Sequence, residues 1–207
     1  MLCTVRSGAA QSSSGAAVFG RLMQKRMDAL AEEPAIAARA PGKHGMALMQ
    51  AAGDSALYLV DDIGLQTLSR LFAETAARAP TAVCASLYTG GSAAFPDAFA
   101  EMLRTTDSTL VDRWAAFMTG VTRAGILRPP SGRVATPDVM TEAVRRLLGK
   151  HPPAERATLR RGAAKTGSAD DVCFFSVTLY RDLASLPASE AGPLFRALMR
   201  GVQPKIV

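Results

Sequence analysis

The chain has no asparagine, two histidines, three cysteines and only 6% aromatic residues among its 207. With so few rings, the interior must be built from Leu, Val, Met and Ala, which suits close helix packing better than a sheet-rich core. Cys3, Cys84 and Cys173 are odd in number and far apart, so neither a disulfide framework nor a paired metal knuckle is expected. Cys84 and Cys173 lie in apolar stretches and read as buried thiols, favouring an intracellular reducing compartment. His44 and His151 with dispersed cysteines make no zinc site, and no cofactor is expected. The longest apolar runs, residues 56–60 and 172–177, fall far short of the roughly 18 residues that span a bilayer, so no transmembrane span is expected.

What is present is globular in kind: 48% hydrophobic and 20% charged residues. A chain of this length buries on the order of 70% of its unfolded surface without a staple. Abundant Ala and 19 Arg against 5 Lys read as a GC-rich coding sequence, which weakens arguments from arginine number alone.

The pattern predicts a mainly α fold, a compact bundle of about seven to nine short helices. Residues 1–15 are small and polar and are expected to form a disordered arm. Residues 16–43 read as a basic helix followed by a Pro/Gly linker at 34–43, and 44–207 as one helical domain. Ile63, Leu68, Leu71 and Phe72 mark one face of a helix ending near Pro80. The firmest helix runs from about Ser108 to Ala124, with a cap at Asp107 or Ser108, a stripe of Leu110, Trp114, Phe117, Met118 and Val121, and a stop at Gly125. Thr136-Pro137 opens another, and a short helix spans about Pro153 to Ala163. Residues 172–180, VCFFSVTLY, are the best strand candidate, with a helix started by Ser168 the alternative. A last helix is expected to be capped by Ser189.

The net charge of +6 is uneven. Residues 1–27 hold four basic residues and no acid, 28–141 hold nine basic and twelve acidic, and 142–165 hold seven basic against Glu142 and Glu155. The first segment resembles an organellar transit peptide in composition and also fits a bacterial export signal or a plain tail. The second, with Arg145, Arg146, Lys150, Arg156, Arg160, Arg161 and Lys165, is the candidate surface for an anionic partner, since guanidinium groups grip phosphate and carboxylate by two prongs. It contains no aromatic residue on which nucleic-acid bases stack, and a solvated helix face is its bland reading.

Motifs of chemistry fail on inspection. Lys165-Thr166-Gly167 matches one element of serine β-lactam-binding enzymes, yet no lysine has a serine three residues before it. As a phosphate-binding loop the same stretch has Ala164 and Leu159 where glycines are needed. The acidic pairs Asp61-Asp62 and Asp170-Asp171 precede helices and are explained by capping. The sequence around Arg123-Ala124-Gly125-Ile126-Leu127-Arg128-Pro129, with the helix begun by Pro137, makes Leu68–Leu148 loosely similar to the helical effector-binding half of TetR-type repressors. That covers under half of the chain, and the DNA-binding helix-turn-helix of those proteins has no counterpart here.

These readings favour a non-enzymatic helical interaction protein, a subunit of a larger assembly, whose Arg-rich surface meets an acidic protein or, as the alternative, nucleic acid. A second reading is a small-molecule-binding or regulatory domain with an apolar pocket at Trp114, Phe117 and Met118. A third is a secreted bacterial effector or an uncharacterised enzyme.

Overall fold

A computed structural model describes residues 15–89, 99–104 and 107–202. Residues 1–14 lie outside it, so the expected N-terminal arm, Arg6 and Cys3 are not described. The elements are α1 (Gly15–Ala31), α2 (Pro34–Arg39), α3 (Gly45–Ala52), a 3-10 helix (Asp54–Leu59), α4 (Asp62–Ala76), α5 (Thr81–Thr89) and α6 (residues 99–104). They continue with α7 (Ser108–Leu127), α8 (Pro137–Gly149), α9 (Pro153–Ala163), α10 (Ala169–Ser185) and α11 (Ala188–Met199). The fold is mainly α, as expected, with no strand among the described residues.

Local chemistry sets the boundaries. Asp61 accepts from the Gly64 N–H at 2.7 Å, Asp107 from that of Leu110 at 2.8 Å, and Thr136 from that of Val139. Each such cap satisfies a backbone donor that the first turn leaves open and contributes about 1 kcal/mol. Proline stands in the first turn of α2, α8 and α9, where its missing N–H costs nothing.

The choice left open over residues 172–180 falls to the helical alternative, inside α10, and other expectations are corrected. Ser168 and Asp171 form a reciprocal capping box that starts this helix, and α10 packs against α4, α5 and α9. An apolar run surrounded by neighbours needs no alternation, so β-branched residues are accommodated in a buried helix. The stretch read as a linker holds α2, whose Ile36 is fully buried in the same core as α1 and α7. Gly125 does not end α7: Arg128 takes the left-handed conformation (φ 48°) and its N–H returns to Ala124 O at 2.8 Å. Gly125 serves packing instead, because a Cβ there would lie 2.6 Å from Ala52 Cβ and 2.7 Å from Ala56 Cβ. Ile63, expected on the inner face of α4, is 67% exposed beside the buried Leu65 and Leu68. The last helix begins at Ala188 with no side-chain cap from Ser189.

The main core joins α1, α2, α3, α4, α7, α8 and α11 around Trp114, with Met27, Leu30, Leu48, Leu65 and Leu71 buried in it. A smaller cluster of Ala76, Cys84 and Val177 sits where α4, α5 and α10 meet. There the expectation of free thiols is overturned, because Cys84 and Cys173 are joined as a disulfide linking α5 to α10. The bond closes a sequence separation of 89 residues, a length at which a cross-link removes much conformational freedom from the unfolded chain.

A buried arginine holds a second joint. Arg196 of α11 is 1% exposed; its Nη1 donates to Asp62 Oδ1 at 2.5 Å and to Arg133 O at 3.3 Å, and its Nη2 donates to Val60 O at 2.6 Å. Gly132 lies directly on the guanidinium and Gly192 on the Asp62 carboxyl, and neither site has room for a Cβ.

Candidate anion-binding surface

The seven basic residues of 142–165 fall on α8, on α9 and on the turns after them. Folding does not leave them equivalent. Arg145 pairs with Glu142 at 2.5 Å, Arg146 with Glu190 of α11, and Arg161 holds Asp171 of α10 with two donors at 3.1 and 3.0 Å. The Arg161 guanidinium, through this hydrogen bond, holds the Asp171 carboxyl below its ordinary value. Lys165 sits in the left-handed conformation (φ 56°) at the α9–α10 turn. Lys150 and Arg160 are exposed and Arg156 is half-buried, and no acid stands against any of the three among the described residues. Arg156 and Arg160 are four residues apart on α9 and so share a face.

The Lys-Thr-Gly stretch is the connection into α10, and Ser168 is occupied as its cap, receiving the Asp171 N–H at 3.2 Å. His151, after α8, lies between two carboxylates: Nδ1 is 3.0 Å from Glu155 and Nε2 is 2.8 Å from Asp182 of α10. The Asp182 hydrogen bond, aided by Glu155, raises the imidazole above its ordinary value of 6.5, and the ring bridges α9 and α10.

Trp114, Phe117 and Met118 stand in the main core. Trp114 is 2% exposed, its Nε1 donates to Thr75 Oγ1 at 2.7 Å, and Phe72, Phe99 and Phe117 meet its ring edge to face. Phe117 is buried, and Met118 is half-buried against the same cluster.

Sequence reasoning missed an open groove of about 500 Å³ between α4 and α10. Arg70, Ala73 and Glu74 line it from α4, Ala77 and Arg78 from the turn after that helix, and Arg181, Ala184 and Ser185 from α10. Residues 70, 73 and 74 share one face of α4, and 181, 184 and 185 one face of α10; these periodicities were the available signal. Glu74 is engaged by two donors of Arg113 at 2.5 and 3.0 Å, and Arg78 donates to Asp107 at 2.8 Å. The Arg113 hydrogen bond, with the fields of Arg113, Arg78 and Arg70, holds the Glu74 carboxyl below its ordinary value. Among the described residues no three His, Cys, Asp or Glu side chains converge as a metal site, and no helix is long and apolar enough to cross a membrane.

Comparison with known proteins found no matching family model, no similar curated protein and no similar solved structure.

Proposed function

We propose that this protein is a non-enzymatic helical interaction protein that docks an acidic protein partner through the basic segment 142–165. The observation that supports this reading is the division within that segment. Arg145, Arg146 and Arg161 are matched by acids, whereas Lys150, Arg156 and Arg160 present charge at the surface with no acid against it. Unmatched surface cations steer an oppositely charged partner and raise its association rate, an effect that falls with salt. An acidic protein is favoured over single-stranded nucleic acid because the segment holds no Phe, Trp or Tyr on which bases would stack. The Cys84–Cys173 disulfide supports maturation in an oxidising compartment over the reducing one expected from dispersed cysteines.

The test uses long poly-glutamate and a DNA duplex as probes at rising salt. Wild type is expected to bind poly-glutamate, and the reversal Lys150→Glu/Arg156→Glu/Arg160→Glu to weaken that binding at least about tenfold, or 1.4 kcal/mol. Equal binding by the variant overturns the surface, and tighter binding of DNA with a steep salt slope overturns the choice of partner.

A further inference from the structure

We propose that the α4/α10 groove is a docking slot for an extended acidic peptide segment, one that carries two carboxylates on a partner protein. This inference rests on the proposed acidic partner and adds where on the molecule its tail is seated.

The argument begins with charge. The groove lining holds three arginines and one glutamate. Glu74 is neutralised by Arg113, and Arg78 by Asp107. That leaves the Arg70 and Arg181 guanidiniums, one from each helix, with no carboxylate bonded to either among the described residues. Both are exposed. Two guanidinium forks, one on each wall, set the charge of the occupant: two anionic groups, each gripped by a two-pronged donor.

Shape selects a peptide. Arg70, Ala73 and Glu74 line the slot from the last turns of α4, and Ala77 and Arg78 from the turn that follows, so it runs over the C-terminal end of the helix. Its inner surface is Ala73, Ala77 and Ala184, whose methyl groups let a backbone lie close to both helices. The volume of about 500 Å³ falls within the range of roughly 300–1,000 Å³ typical of ligand sites, and the groove is open along one side, as a through-running chain requires. Ser185 Oγ, which donates to Asp182 O at 2.7 Å, keeps acceptor capacity for a peptide N–H at the groove wall.

Position links the slot to the basic segment. Asp182, next to Arg181, holds His151 at the entry to α9, the helix that carries Arg156 and Arg160. α10 thus packs against α9 and, with α4, forms the groove, so one helix joins the basic segment to the slot.

The probe is a labelled hexapeptide of alternating glutamate and alanine, too short to bridge both surfaces, with binding read by fluorescence anisotropy at low salt. The expected result is binding by wild type, weakened at least about tenfold in Arg70→Glu/Arg181→Glu. Repeated at 0.15 M salt, where exposed charges more than about 8 Å apart are largely screened, the α9 reversal Lys150→Glu/Arg156→Glu/Arg160→Glu should change it less than about twofold. Arg70 and Arg181 are exposed and hold no ion pair among the described residues, so the groove variant should keep near-wild-type helicity, with a small fall in melting temperature from repulsion between position 70 and Glu74. Arg70→Gln/Arg181→Gln checks that loss of attraction, not added repulsion, is responsible, and it should also weaken binding. Equal binding by wild type and the groove variants overturns the slot and leaves the α9 surface standing on its poly-glutamate result. Binding of poly-glutamate but not of the hexapeptide also overturns the slot alone. Failure of wild type to bind either probe overturns both readings.

Discussion

At its N-terminal end α4 is held by the Arg196 guanidinium, which reaches Asp62 and the carbonyls of Val60 and Arg133 from within the core. Past its C-terminal end, beyond Ala76, the chain is held by the Cys84–Cys173 bond between α5 and α10. Between these holds Gln66 Nε2 donates to Leu186 O at 2.6 Å, and the groove opens over the next turns of α4. One end is fastened by charge and hydrogen bonds and the other by a covalent bond, so they answer to different insults. A buried guanidinium gives up its full desolvation cost if a partner is lost, whereas a disulfide acts mainly by restricting the unfolded chain.

Breaking the polar end should have the larger effect. Arg196→Ala leaves Asp62 and the carbonyls of Val60 and Arg133 without their donor and opens a cavity in the core, for an expected loss of about 3 kcal/mol or more in urea unfolding. A loss below about 1 kcal/mol would mean that water replaces the guanidinium at no cost. The covalent end should follow. Reduction, or Cys84→Ser/Cys173→Ser, is expected to cost about 2–4 kcal/mol. At about 2–4 °C per kcal/mol for a chain of this size, the melting temperature should fall by roughly 5–15 °C. Equal melting with and without reductant, alongside two free thiols by mass spectrometry, would show that the cysteines are not bonded in solution. The two losses should nearly add, since the sites share no partner.

How much of this was legible in the sequence differs between the ends. The caps at Asp107, Thr136 and Ser168 and the proline starts are local signals, readable from a few adjacent residues, and they appear in the structure. The disulfide is not local. Cys84 and Cys173 are 89 residues apart, each in an apolar stretch that equally suits a buried thiol, and only the docking of α5 on α10 brings them together. Arg196 is likewise one arginine among nineteen in a composition already rich in them. Its signal was indirect: Gly132 and Gly192 stand where a Cβ would strike the pair, and neither looks unusual beside other glycines. The basic segment shows the converse. Its density was plain, yet three of its seven cations are matched by Glu142, Glu190 and Asp171, and pairing across helices cannot be counted along a chain. The groove's Arg70 and Arg181 are far apart in sequence and belong to no dense run.

His151 supplies the smallest and most conditional hold, and it sharpens the contrast because it alone responds to mild changes of pH. Its side chain is 17% exposed between Glu155 of α9 and Asp182 of α10. Asp182 first, then Glu155, raises its pKa in the folded state. A raised folded value means that the charged ring favours the fold, so its contribution is fully present below the unfolded value near 6.5. The contribution must fade as pH climbs from there through the folded value. The stability of wild type minus that of His151→Gln, from urea unfolding at steps from pH 5.5 to 9, should therefore be largest at the acidic end and shrink toward the alkaline end. The same scan on Arg196→Ala should show no such step, because a guanidinium stays charged throughout. A flat difference for His151→Gln would show that the ring does not carry its charge in holding α9 to α10, and the joint would then rest on packing by Leu159 and Val172.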